Sequence, residues 1–263
     1  MRENSVKSIW AKGGVVVNGW LSIPSSFSAE VMSHQGFDSL VVDMQHGVVD
    51  YQTAVTMLQA ISTTPVIPLA RVPWNDPAII MKCLDAGAYG VVCPMINSGA
   101  DALRFAGACR YPPMGYRSLG PIRAQLYGGS DYAAKANEEI VALAMIETMP
   151  GLENLDAIVK VEGLDGIYIG PADLSLSLGL PGRLDPIDVK VVSAIETILA
   201  KCKSAGRRCG IHTGSVEYAR NMVGKGFDFV TILGDSRILA AAAETIVRGV
   251  KASPKQGIAS STY

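Results

Sequence analysis

The sequence predicts a (β/α)8 barrel in a single domain spanning all 263 residues. Short, almost wholly apolar runs of strand character recur eight times, and segments with apolar residues at three- and four-residue spacing lie between them. Strands that are apolar on both faces belong to a parallel sheet covered by helices. The open doubly wound alternative lacks its fingerprints. No G-x-G-x-x-G follows the first strand, and no G-x-x-x-x-G-K-[ST] occurs anywhere.

The expected strands are 15–23 (VVVNGWLSI), 39–46 (SLVVDMQH), 65–72 (PVIPLARV) and 90–96 (GVVCPMI). They continue with 141–148 (VALAMIET), 166–170 (GIYIG), 208–213 (RCGIHT) and 227–233 (FDFVTIL). Helical spacing covers 50–62, 76–87, 100–110, 151–161, 185–206 and 215–226, and several of these end in Gly, a common helix terminator. Between the fourth and fifth strands, residues 97–140 include RYPPMGYRSLGPIRAQLYGG, whose Gly, Pro and Arg content reads as a loop able to cover a site. Arg117 and Arg123 in that loop are candidates for closing over a substrate or meeting a neighbouring subunit. Residues 252–263 read as a flexible tail, or as one docked on a partner subunit.

Composition narrows the function. Lys and Arg number 23 against 24 Asp and Glu, with no basic run, so nothing points to nucleic acid. No stretch reaches the ~18 apolar residues of a membrane span, and the N-terminus lacks the apolar segment of a secretory signal. The five cysteines are scattered, without C-x-x-C spacing, which suits reduced thiols in the cytoplasm better than disulfides or zinc. The expectation is a cytoplasmic globular protein acting on small molecules, with no nucleic-acid or membrane partner.

In a barrel of this kind the active site lies at the C-terminal ends of the strands. There the second strand ends in Asp43, Gln45 and His46, the third in Arg71, the fifth in Glu147, the sixth in Asp173 and the seventh in His212. Each alone has an ordinary structural explanation; together at matching strand ends they mark a site. His46 is a candidate base, with Asp43 placed to orient its ring. Arg71 suits a substrate carboxylate or a developing oxyanion. Glu147 and Asp173 match an octahedral Mg²⁺-type ion whose shell substrate and water complete. Peptide N–H groups beside Gly170 could hold a substrate carboxylate, since Gly lets the backbone approach closely. This set suits reversible aldol chemistry through an enolate. A Schiff base needs a strand-end lysine, and Lys82, Lys160, Lys190 and Lys201 fall in predicted helices or loops.

At these residues the sequence resembles the HpcH/HpaI aldolase family of metal-dependent pyruvate aldolases. The resemblance runs from about residue 8 to 250 and rests on VVDMQHG, PLARVPWNDP, LDAGAYGVVCPMI, YPPMGYRSLGP, MIET and IGPADLSLSLG, in family order. It implies cleavage of a 4-hydroxy-2-oxo acid to pyruvate or hydroxypyruvate and an aldehyde, with Mg²⁺, Mn²⁺ or Co²⁺ held by Glu147 and Asp173. His46 is the implied base with Asp43 beside it, and Arg71 the group that meets the keto or enolate oxygen. The backbone at Gly170, Pro171 and Ala172 would face the carboxylate. Asp85 matches an acid that approaches a neighbouring subunit's site, and the family implies hexamers with C-terminal helices packed on or swapped with neighbours. Gln45 and Met145 depart from the common Glu and Gln of the family, which implies a less polar pocket. The resemblance gives His212 no catalytic role, and it is expected to be structural. The competing expectations are a CoA-thioester lyase of the malyl- or citramalyl-CoA type and a catalytically silent barrel.

Overall fold

The computed structural model describes residues 1–252, so all but the first residue of the tail expected at 252–263 lies outside the described residues. After α1 (Ser5–Ala11), the chain alternates β1 (Val16–Leu21), α2 (Ser26–Ser33), β2 (Ser39–Asp43), α3 (Tyr51–Ile61), β3 (Ile67–Arg71), α4 (Pro77–Asp85) and β4 (Gly90–Cys93). Three helices follow, α5 (Gly99–Cys109), α6 (Ile122–Gly128) and α7 (Tyr132–Glu139), before β5 (Val141–Ile146). Then come α8 (Met149–Glu153), α9 (Leu155–Ile158), β6 (Gly166–Ile169), α10 (Pro171–Ser177), α11 (Val189–Ser204) and β7 (Arg208–Thr213). The barrel ends with α12 (Val216–Lys225), β8 (Phe229–Ile232) and α13 (Asp235–Ala252). All eight neighbouring strand pairs are parallel, and β8 closes the sheet on β1. This is the expected (β/α)8 barrel.

All eight strands appear where the apolar runs lie, but most are shorter than expected, for local reasons. β2 stops at Asp43 because its carboxylate accepts the backbone N–H groups of Gln45 and His46 (3.0 and 3.3 Å), turning the chain out of the ladder. β4 stops before Pro94, and Met95 then takes a positive φ of 56°. Helix α2 was not expected; its signal is Ser25, whose side chain caps the amide of Ser28. The helix expected at 151–161 is two short ones, broken at Asn154.

Residues 97–140 do not cover the strands' C-terminal ends. They pack against the start of the chain and the start of β4: Arg2 N–H donates to the Gly128 carbonyl, and Asn4 binds Glu139 and the Tyr89 carbonyl. Arg123 is held by the carbonyl of Ala86 and the hydroxyl of Ser62. Arg117 is buried between the rings of Tyr111 and Tyr132 and pairs with Asp85 at 2.7 Å. The expectation that these arginines close over a substrate is therefore corrected: both are held at the end of α4, by Asp85 and the Ala86 carbonyl, near the start of β4. Asp85, last residue of α4, therefore lies away from its own strands' C-terminal mouth.

Candidate active site

A cavity of about 360 Å³ opens at the C-terminal ends of the strands. Trp20, Asp43, His46, Arg71, Met145, Gly170, Pro171, Ala172, Asp173 and His212 line it, with Leu184, Ser22, Ser236 and Arg237 toward the rim. Most of the expected site residues thus converge on one space.

Arg71 and Asp43 form its buried charged pair. They are register partners on adjacent strands, so the pleat points both side chains to the same face. Arg71 Nε donates to Asp43 Oδ1 at 2.8 Å and Nη2 to Oδ2 at 2.6 Å, a bidentate fork. Trp20 Nε1 adds a bond to Oδ2 at 3.1 Å, and the Arg71 guanidinium lies 4.7 Å from the Trp20 ring centre. Burial raises the Asp43 carboxyl, but Arg71, with Trp20 and the Gln45 amide, outweighs it, and the pKa lies below the ordinary value. This corrects one expectation. Asp43 reaches His46 through that residue's backbone amide, and its oxygens go to Arg71 and Trp20 rather than to the imidazole. The His46 ring sits exposed at the cavity wall.

Glu147 follows the end of β5 and is 2% exposed. Its Oε1 accepts the Met95 amide at 2.9 Å, for which the positive φ of Met95 turns the chain. Burial pushes its pKa up to about 7, against that hydrogen bond, with the nearby Asp173 charge raising it further. Asp173 lies in the first turn of α10, exposed to the cavity. Gly170 sits between them. A Cβ there would lie 2.6 Å from Met145 Cε and 2.7 Å from Glu147 Oε2, so glycine keeps the space beside the second carboxylate oxygen open. Met145 shares this inward face, as alternation along the strand requires.

The backbone at Gly170–Ala172, expected to face a substrate carboxylate, offers few N–H donors. The Gly170 amide donates to the Ile146 carbonyl, and Pro171 has no N–H. The available donors are the first-turn amides of Ala172 and Asp173, which have no intrahelical acceptor. Gln45 is half-buried, off the cavity lining, with no partner for its Oε1 among the described residues. His212, expected to be structural, lines the cavity; burial, then Arg71, pushes its pKa down to about 4.

Among the described residues no group of three or more His, Cys, Asp and Glu could enclose a metal. The donor set is a carboxylate pair: Asp173 lines the cavity, and Glu147 is buried with Oε1 on the Met95 amide and Oε2 beside Gly170. That fits a hard divalent ion that keeps several non-protein oxygens, and it does not fit a closed zinc-type site.

Fold and site together define a barrel enzyme of the (β/α)8 class, with its acids, arginine and histidines at the face where such barrels carry out chemistry. The chain belongs to the HpcH/HpaI aldolase/citrate lyase family, whose pattern matches residues 19–243. It is 43% identical over 249 residues to a hydroxypyruvate/pyruvate aldolase of Rhizorhabdus wittichii, covering 95% of this chain and 99% of that one. It is 38% identical over 247 residues to a 4-hydroxy-2-oxo-heptane-1,7-dioate aldolase of Shigella flexneri, with 93% and 92% covered. A crystal structure of an HpcH/HpaI aldolase/citrate lyase family protein from Burkholderia cenocepacia superposes with a TM-score of 0.88 at 31% identity, covering 94% and 99%.

Proposed function

We propose that this protein is a class II aldolase, a carbon–carbon lyase that cleaves a 4-hydroxy-2-oxo acid to pyruvate or hydroxypyruvate and an aldehyde. The observation that carries this reading is the meeting of the Arg71–Asp43 fork, Asp173 and His46 around one cavity, with Glu147 buried beside Gly170 of its wall. The names of the relatives point the same way.

Glu147 and Asp173 would hold a divalent ion, Mg²⁺, Mn²⁺ or Co²⁺, which when bound supplies Lewis-acid charge for the oxygens of the 2-oxo acid. The Ala172 and Asp173 amides bind the substrate carboxylate. Arg71, held rigid by Asp43 and Trp20, turns its positive face toward the keto oxygen, where negative charge grows as the C3–C4 bond breaks. His46 takes the proton of the C4 hydroxyl, and the electrons of the C3–C4 bond pass into the enolate while the aldehyde leaves. A proton returned to C3 completes the 2-oxo acid.

The protein is further proposed to act in the cytoplasm as a homo-oligomer, a hexamer. Helix α13 supports assembly: after the buried Asp235 it runs exposed, and Leu239, Ile246 and Val250 lie on it at 63, 67 and 73% exposure. A second copy of the chain would cover that stripe. Among the described residues no helix is long and apolar enough to cross a membrane.

The test is proton exchange at the donor carbon. Pyruvate or hydroxypyruvate in D₂O should lose its C3 proton signal by NMR when Mg²⁺, Mn²⁺ or Co²⁺ is restored to chelated protein, and not before. Absence of exchange with both donors and every metal would overturn the reading.

A further inference from the structure

We infer that His212 reads the donor half of the substrate, with its Nε2 accepting a hydrogen bond from a hydroxyl on the carbon next to the keto group. This rests on the aldolase reading of the site and goes beyond it by distinguishing hydroxypyruvate-derived from pyruvate-derived substrates.

The argument starts below the cavity, inside the barrel. Ser39 donates to Asn18 Oδ1 at 2.8 Å, and Asn18 Nδ2 donates to Thr231 Oγ1 at 2.9 Å. The Tyr168 hydroxyl donates to the same Thr231 oxygen at 2.8 Å and lies 3.2 Å from His212 Nδ1. A phenol has one proton. With that proton on Thr231, the Tyr168 oxygen can only accept from His212, so Nδ1 carries the imidazole hydrogen. The ring is held neutral by burial and by Arg71, which leaves Nε2 as a lone pair. Among the described residues no protein donor meets Nε2, while His212 lines the cavity.

The ring is also fixed in place. It stands edge-on to Trp20 at 5.0 Å and 81°, and Trp20 in turn stacks on Tyr168 at 5.7 Å and 21°. The Arg71 guanidinium lies on the same indole at 4.7 Å. His212 and Arg71 therefore share one platform. With Arg71 at the keto oxygen, the neighbouring carbon is the substrate atom on the His212 side. A hydroxyl on that carbon supplies the donor that Nε2 lacks; pyruvate carries only hydrogens there and leaves the lone pair unmet.

The experiment compares metal-loaded wild type and His212→Leu in the D₂O exchange assay with each donor. The expected result is a fall of roughly 10-fold or more in the ratio of kcat/KM for hydroxypyruvate to that for pyruvate, the size of one hydrogen bond to a confined group. An unchanged ratio would overturn the inference. Imidazole ¹⁵N NMR of the wild type provides a readout that needs no variant. Nε2 should appear unprotonated at neutral pH and should shift on adding hydroxypyruvate but not pyruvate. A protonated Nε2, or equal shifts with both, would refute the assignment. Wild type that exchanges neither donor would remove the aldolase reading itself, a distinct outcome.

Discussion

Replacing Asp43 with Asn tests whether one buried carboxylate holds Arg71 in place. Asp43 is 2% exposed and accepts five hydrogen bonds: two from Arg71, one from Trp20, and the amides of Gln45 and His46. Asn keeps the shape but turns one acceptor into a donor. Either orientation sets its NH₂ against an Arg71 N–H, together with the indole or the two amides. Removing one partner of a buried ion pair typically costs about 3–5 kcal/mol. Arg71 can relax toward the cavity, so the lower end, about 3 kcal/mol, applies. With an unfolding entropy of roughly 2.1 cal/mol/K per residue, that is a fall of about 5 °C in Tm for a chain of this length. The freed guanidinium also leaves the keto oxygen, and loss of a preorganised donor there should slow donor exchange by about 10²–10³-fold. Thermal melts and the D₂O assay check both effects. A variant melting within about 1 °C of wild type and exchanging within about threefold would refute the claim that Asp43 positions Arg71.

Further predictions concern the other walls of the cavity. Glu147 has its folded pKa raised to about 7, so its stabilising contribution to metal-free protein is present below the unfolded pKa of about 4.3 and is lost as pH rises through 7. The swing is about 4 kcal/mol by linkage; urea melts of chelated protein at several pH values should show it, and Glu147→Gln should flatten it. A wild-type profile equal to that of the variant would exclude a raised Glu147. Gly170→Ala should cost about 1–3 kcal/mol by overpacking and weaken the metal dependence of exchange, because its Cβ enters the space of Glu147 Oε2 and Met145. The backbone there (φ −97°, ψ 89°) does not require glycine, so unchanged metal titrations in this variant would show that the space is not the metal's. His46→Ala should slow exchange by about 10²–10⁴-fold with little change in Tm, since the side chain is exposed; an unchanged rate would take His46 out of the mechanism.

The sequence alone determined the barrel and most of the site inventory. Strand identity is a local property: runs such as PVIPLARV and VALAMIET are apolar on both faces, which only a helix-covered parallel sheet accommodates. The acids, arginine and histidines stand where those runs end, and in such barrels strand ends meet at one mouth. Tertiary structure decided which of them touch. Asp43 lies three residues from His46 in the chain, yet its side chain belongs to Arg71, 28 residues away, because strand register sets the two side by side. No local pattern encodes that register. The Gly- and Pro-rich segment of 97–140 carries the composition of a lid, but its partners, the N-terminal residues and the start of β4, lie at the other end of the barrel. That His212 lines the cavity beside Tyr168, 44 positions away, is likewise set by the closed barrel. Side-chain partnership depends on three-dimensional adjacency, which only the closed barrel supplies.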